Sequence, residues 1–147
     1  MRSRREYLLT HPLCEFTLCV GARYDLFGWA HQRKPRQVEA TEVDHIWGRR
    51  GPKDAVEHPS NYMAANHIPH MWKTDNDVAG RIVALNWKWK RREAEPEGWD
   101  LDRMKDVFGK YPLGWLEYRL DTLELPDWVT SLGREILNEQ SSEGCEG

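Results

Sequence analysis

Long apolar runs are missing from this chain of 147 residues. No stretch approaches the ~18–20 consecutive apolar residues that a bilayer-spanning helix needs, so no membrane partner is expected. The basic start, Met1 to Arg5, is followed only by Tyr7-Leu8-Leu9 before His11-Pro12. That is too short for the apolar core of a secretory leader, and the expected location is the cytoplasm. Cysteine is scarce: Cys14, Cys19 and Cys145 make three. An odd count without a leader argues against a disulfide scaffold. Internal repeats are absent too, and the one low-complexity stretch is the tail from about Gln140.

What is present is more informative. Eight tryptophans in a chain of this length bring large buried areas per residue, and 39% hydrophobic residues suffice for a modest core. The net charge of −3 conceals an asymmetry. Residues 1–92 carry 16 Lys+Arg against 10 Asp+Glu, a balance of +6; residues 93–147 carry 5 against 14, a balance of −9. A basic half beside an acidic one suggests a nucleic-acid surface on the basic side, although two solvated surfaces would read the same.

Local signals divide the chain. Arg2 to Leu9 predicts a short basic helix or arm. Residues 13–37 are expected to be irregular, broken by Gly21, Gly28 and Pro35, with a cationic run at Arg33-Lys34-Pro35-Arg36. The β-branched residues of Val38–Ile46 predict a strand, and Gly48 to Pro52 a loop continuing to Ser60. Tyr62 to Ala65 is a candidate second strand. Asn66 is a candidate helix cap, with Pro69 in the first turn, where a missing N–H costs little; the helix then carries His70 to about Asp75. The stripe Ile82, Leu85, Trp89 predicts a helix over Val78–Arg92. Glu95-Pro96-Glu97-Gly98 marks a boundary, followed by helices over about 99–109, 112–122 and 127–139. The expected organisation is a domain over 1–92 with an acidic, mostly helical extension, 93–147, packed on it. The fold class is α+β.

The residues that carry chemistry lie in one stretch: Glu42-Val43-Asp44-His45-Ile46, then Asn61, then His70. Adjacent strand residues diverge to opposite faces, so Asp44 and His45 serve different neighbours. A helix returning after the second strand can bring His70 beside Asp44. Phosphodiester hydrolysis needs a base that titrates near neutrality, which histidine supplies. It also needs a cation to stabilise charge developing on the phosphate. Aspartate with neutral imidazole is a plausible shell for such an ion, and an asparagine amide can tie the loop. Alone, each residue is more often a surface, cap or turn residue; the ordered set is the signal.

In that order and spacing the chain resembles the HNH endonucleases, especially small forms common in phages. The resemblance covers residues 4–75. It runs from Arg4-Arg5-Glu6-Tyr7-Leu8 and His11-Pro12-Leu13-Cys14-Glu15-Phe16, through Ala40-Thr41-Glu42-Val43-Asp44-His45-Ile46, to Pro59-Ser60-Asn61-Tyr62-Met63-Ala64 and His70-Met71-Trp72-Lys73-Thr74. It implies a ββα-metal hairpin-plus-helix core and metal-dependent cleavage of DNA, usually double-stranded. His45 would be the general base, Asn61 would orient its loop, and Asp44 and His70 would bind a divalent ion, Mg²⁺ or Mn²⁺. A homodimer or a phage packaging or processing partner, in the host cytoplasm, fits the same resemblance.

The chain departs from the family at the structural zinc. The usual two Cys-x-x-Cys pairs would fall at Cys14 and Thr17, and at Asn66 and Pro69, leaving one thiolate of four; four good N/S donors are what such a site requires. A structural zinc is therefore not expected. A substitute drawn from Cys14, Cys19, His67, His11 and His31 is the alternative, and small core residues are the plainer reading of the cysteines. Something else must then hold the hairpin, and the tryptophan-bearing acidic half is the candidate. Beyond the central set, Arg49, Arg50 and Lys53 in the loop after His45, and Lys73 three residues beyond His70, are expected at DNA phosphates; a solvated surface is the alternative for each. Arg4, Arg5 and the 33–36 run are further electrostatic candidates. Glu42 shares a strand face with Asp44 and is a weaker candidate for the metal shell, while Trp87 and Trp89 are expected mainly in the core. The competing function is a catalytically silent fold of the same type that binds DNA or a protein partner; a scaffold assembling through its acidic half is a third.

Overall fold

The computed structural model describes residues 3–20, 27 and 38–146, with side chains as far as 140. The cationic run at 33–36, His31 and the breakers Gly21, Gly28 and Pro35 lie outside the described residues. The fold is α+β: a two-stranded antiparallel sheet among helices.

Helix α1, Arg4–Thr10, starts where the Ser3 hydroxyl accepts from the Glu6 N–H at 3.2 Å. It stops at His11, ahead of Pro12. A second helix, α2 (Glu15–Val20), occupies part of the stretch expected to be irregular. Its residues carry no breaker, and the Gly and Pro signals lie beyond it, so tertiary burial of Phe16, Thr17 and Val20 decides the conformation. Strand β1, Glu42–His45, pairs with β2, Tyr62–Ala65, so that Asp44 faces Met63 and His45 faces Tyr62. The strand predicted over 38–46 is thus shorter at both ends; Glu39 makes only an isolated bridge to Leu13. All four residues of β2 are buried, and the two alanines leave room for α2, which packs against this strand.

Between the strands, the expected loop contains one helical turn, α3 (Lys53–Val56), and a 3-10 turn, Pro59–Asn61. After β2, the Asn66 side chain accepts from the Ile68 N–H at 3.3 Å and starts α4, His67–Asp75, with Pro69 in its first turn. Helix α5 follows as Asp77–Lys90. A 3-10 turn, Pro96–Gly98, leads to α6 (Leu101–Phe108), capped by Asp100 and closed by Gly109 at φ +79°, the left-handed conformation that glycine adopts without strain. Helices α7, Pro112–Thr122, and α8, Asp127–Glu146, complete the chain. No helix among the described residues is long and apolar enough to cross a membrane.

One apolar cluster runs through both halves without a break at residue 92. It joins Phe16, Ile46, Met63, Ile82 and Leu85 to Met104, Leu116 and Ile136. The C-terminal helices also grip the loop that follows β1. The ring of Trp47 sits 4.8 Å from Phe108 and 5.6 Å from Trp115, centroid to centroid. Gly51, at φ +111°, lies so close to α6 that a Cβ there would stand 2.5 Å from the Asp106 carbonyl oxygen.

The polar clamp of the hairpin is a buried network around Glu15. Its Oε1 accepts from the Tyr7 hydroxyl at 2.5 Å and from the Ala64 N–H at 2.9 Å, and its Oε2 from the Trp87 indole at 2.6 Å. The buried Lys88 ammonium donates to the Tyr7 oxygen at 2.9 Å and to the Pro59 carbonyl at 3.0 Å. Burial pushes the Lys88 ammonium below its ordinary pKa, with Glu15 opposing. These bonds join α1, α2, β2 and α5. At the positions where the zinc ligands were sought, Cys14 and Thr17 are buried, Asn66 caps α4, and Pro69 lies inside it. His67 instead faces Glu42 at 3.3 Å and His11 faces Glu95 at 2.6 Å, so the candidate substitute ligands are not gathered among the described residues.

Candidate active site

Strand β1 and helix α4 bring Asp44 and His70 together, as the spacing led one to expect. His70 Nε2 stands 2.9 Å from Asp44 Oδ1. The other ring nitrogen, Nδ1, stands 2.8 Å from Glu42 Oε1. Glu42 and Asp44, two apart on one strand face, therefore flank a single imidazole. The hydrogen bond to Asp44 raises the His70 pKa, burial opposes, and Glu42 adds to the rise. Burial opposes ionisation of Asp44, but the bond to His70 and the Lys73 ammonium outweigh it and hold its carboxyl below the ordinary value.

Lys73 is only 6% exposed. Its Nζ donates to Asp44 Oδ1 at 3.2 Å and to the Ile46 carbonyl at 3.1 Å. Its ammonium points into the site and not toward an external phosphate, which departs from the expectation. The spacing of three from His70 did put the two on one face of α4, but α5 covers that face. Gly80 of α5 makes the room, since a Cβ there would meet Lys73 Cγ at 2.5 Å.

His45 points to the other side of β1. Its Nε2 stands 3.2 Å from Glu57 Oε1, and the Tyr62 hydroxyl donates to Glu57 Oε2 at 2.6 Å. Burial lowers the His45 pKa, and Glu57 only partly restores it. Glu57, fixed by Tyr62 and His45, is held below the usual carboxylate value against the effect of its burial. Its role was not foreseen, because a glutamate twelve residues away, at the end of a one-turn helix, carries no pattern in sequence.

Asn61 ties the loop between the two sides. Its Oδ1 accepts from the Trp47 N–H at 2.8 Å, and its Nδ2 donates to the carbonyls of Gly48 and Val56, each at 3.0 Å. The Ile46 N–H also donates to the Asn61 carbonyl at 2.8 Å. Three of the four hydrogen bonds open to an amide side chain are thus used on backbone. Arg49, Arg50 and Lys53 are exposed on the loop and turn that follow. Arg49 alone of these lines the groove over Glu42 and His70.

The donors suit a hard divalent cation. Asp44 and His70 offer carboxylate oxygen and imidazole nitrogen side by side, and Asp44 Oδ2 is buried without a hydrogen-bond partner. Such an orphaned oxygen is costly unless a proton donor or a cation satisfies it. Glu42 then has the place that a carboxylate commonly takes behind a metal-bound histidine, on the far ring nitrogen.

A second group, His11, Glu15 and Glu95, also gathers ligand atoms within 4.8 Å of one another. There the carboxylates already have cationic neighbours: Arg91 Nε is 3.2 Å from Glu95, and Lys88 reaches Glu15 through the Tyr7 hydroxyl. The chain matches no known family model, no curated protein and no solved structure.

Proposed function

We propose that this chain is a metal-dependent DNA endonuclease of the HNH type, hydrolysing phosphodiester bonds with His45 as general base. The observation that carries the reading is the placement of Asp44 and His45 side by side on one short hairpin strand, with His70 brought to Asp44 and Asn61 bonded to the loop after His45. Asn61 locks the loop after His45 through three hydrogen bonds, and His70 stands 2.9 Å from Asp44.

The residues divide the work. Glu57 accepts from Nε2–H of His45 and so leaves the Nδ1 lone pair free. Nδ1 takes a proton from water as the water oxygen attacks phosphorus and the opposite P–O bond breaks. A histidine whose pKa burial holds below the ordinary value suits a base acting near pH 7. Asp44 and His70 would hold Mg²⁺ or Mn²⁺, which when bound stabilises charge on the phosphate and the departing oxygen. Glu42 orients His70, and Lys73 tempers the charge of Asp44. Double-stranded DNA is the proposed substrate. Dimerisation and a phage processing partner rest on the family resemblance alone.

The test is nicking of supercoiled plasmid by the wild type and His45→Ala, with Mg²⁺, Mn²⁺ or EDTA. Cutting that needs metal and falls by roughly 10²–10⁴ in the variant is expected for loss of a general base. A well-folded wild type that cuts nothing under any metal would sink the proposal. One observation favours the silent, DNA-binding alternative: Asp44 already has a cation, Lys73, on Oδ1. Salt-dependent DNA binding without cutting would select it.

A further inference from the structure

The groove over Glu42 and His70 has a wall that the hairpin does not supply. The groove encloses about 540 Å³. Its other lining comes from Arg4, Arg5, Leu8 and Leu9 of α1, together with Arg49. Helix α1 is held there by Tyr7, which is buried, packs edge-on to Tyr62 at 5.4 Å and bonds to Glu15. With Tyr7 turned inward, the pairs Arg4/Leu8 and Arg5/Leu9 lie at i,i+4 spacing along the outer sides of the helix. Arg4 leans toward Glu57 at 3.6 Å, whereas Arg5 and Arg49 make no ion pair among the described residues. Leu9 is 74% exposed, more than any other large apolar side chain among the described residues.

We propose that α1 is the second wall of the substrate groove and grips the DNA backbone beside the scissile phosphate. Arg5 and Arg49 meet non-bridging phosphate oxygens, and Leu9 lies against the deoxyribose between them. The match is chemical: a DNA strand offers a negative charge at every nucleotide with an apolar sugar edge in between, and this groove is lined by guanidinium groups together with leucines. The inference rests on the nuclease reading and adds to it a binding element outside the hairpin.

The experiment titrates a short DNA duplex with the catalytically disabled His45→Ala protein in Mg²⁺ over a series of salt concentrations; wild type in EDTA replaces it if that variant misfolds. Arg5→Gln and Arg49→Gln should each lower the salt slope by about one, the share of one phosphate contact. Leu9→Ala should weaken binding several-fold and leave the slope unchanged. Lys105→Gln, an exposed cation that does not line the groove, should change neither. If the Arg5→Gln/Arg49→Gln double variant binds with the parental slope while the wild type still nicks plasmid, α1 is not part of the site and the nuclease reading survives. If the wild type neither nicks nor binds DNA in a salt-dependent manner, both readings fall.

Discussion

Replacing Asn61 by alanine tests the architecture of the site without touching the proposed base or metal ligands. The substitution strips partners from the Trp47 N–H and from the carbonyls of Gly48 and Val56. The Gly48 bond is only partly buried, and water can replace it; the other two are buried. An unsatisfied buried backbone group costs about 1–3 kcal/mol, so Asn61→Ala should destabilise by roughly 2–6 kcal/mol. That is a large share of the ~5–15 kcal/mol by which ordinary domains are stable. At about 2–4 °C per kcal/mol for a chain of this size, the melting midpoint followed by circular dichroism should fall by roughly 5–20 °C. Asn61→Asp is nearly isosteric, yet at neutral pH it should be at least as harmful, because it sets a carboxylate against two carbonyl oxygens. A loss below ~1 kcal/mol for Asn61→Ala, or a clearly milder effect for Asn61→Asp, would show that the amide does not hold this loop.

Other outcomes follow from the same contacts. Glu42→Gln should raise the Mg²⁺ or Mn²⁺ concentration needed for half-maximal nicking by about 10–100-fold, the usual effect of losing a carboxylate behind a metal-bound histidine; an unchanged metal titration would argue against that role. Gly80→Ala gains helix propensity of ~1 kcal/mol but drives a methyl into Lys73 at an overpacking cost of about 1–3 kcal/mol, so a net loss of up to roughly 2 kcal/mol is expected in denaturant melts, and a stabilised variant would refute the packing argument. Glu15→Ala leaves Tyr7, Trp87 and the Ala64 N–H without their acceptor and Lys88 without the strongest of its counter-charges, and should cost about 3–5 kcal/mol; a shift in denaturant midpoint below ~1 kcal/mol would show that this network is not the clamp. Truncation after Arg92 removes the partners of Ile82, Leu85 and Trp47 and should abolish the cooperative melt, whereas a sharp transition in the shortened chain would contradict the shared core.

The parts legible in sequence were those fixed by local chemistry. The strand pair around Asp44 and Tyr62, the Asn66 cap and the return of His70 to Asp44 follow from alternation, capping and spacing over fewer than thirty residues. Helix α2 was not legible, because its few residues are held by burial against β2 and α5 and not by propensity. Lys73 shows the limit most clearly: its place on the His70 face of α4 was readable, but a bare glycine on α5 turns that face inward. Glu57, Glu15 and Lys88 were beyond reach for a similar reason. Their partners lie 5 to 81 positions away, and buried charge is recognisable only once its counter-charge is in place.

The grip of α6 and α7 on Trp47 and Gly51 has a consequence for how such a module can be reused. A hairpin clamped by its own metal could be moved between host proteins as a cassette, since its rigidity travels with it. Here the loop presenting His45 borrows its rigidity from helices more than fifty residues downstream. Fusions that split the chain near residue 92 would part the hairpin from its support, while fusions beyond α8 would leave it intact. Grafting the motif elsewhere therefore means carrying α6 and α7 along with it.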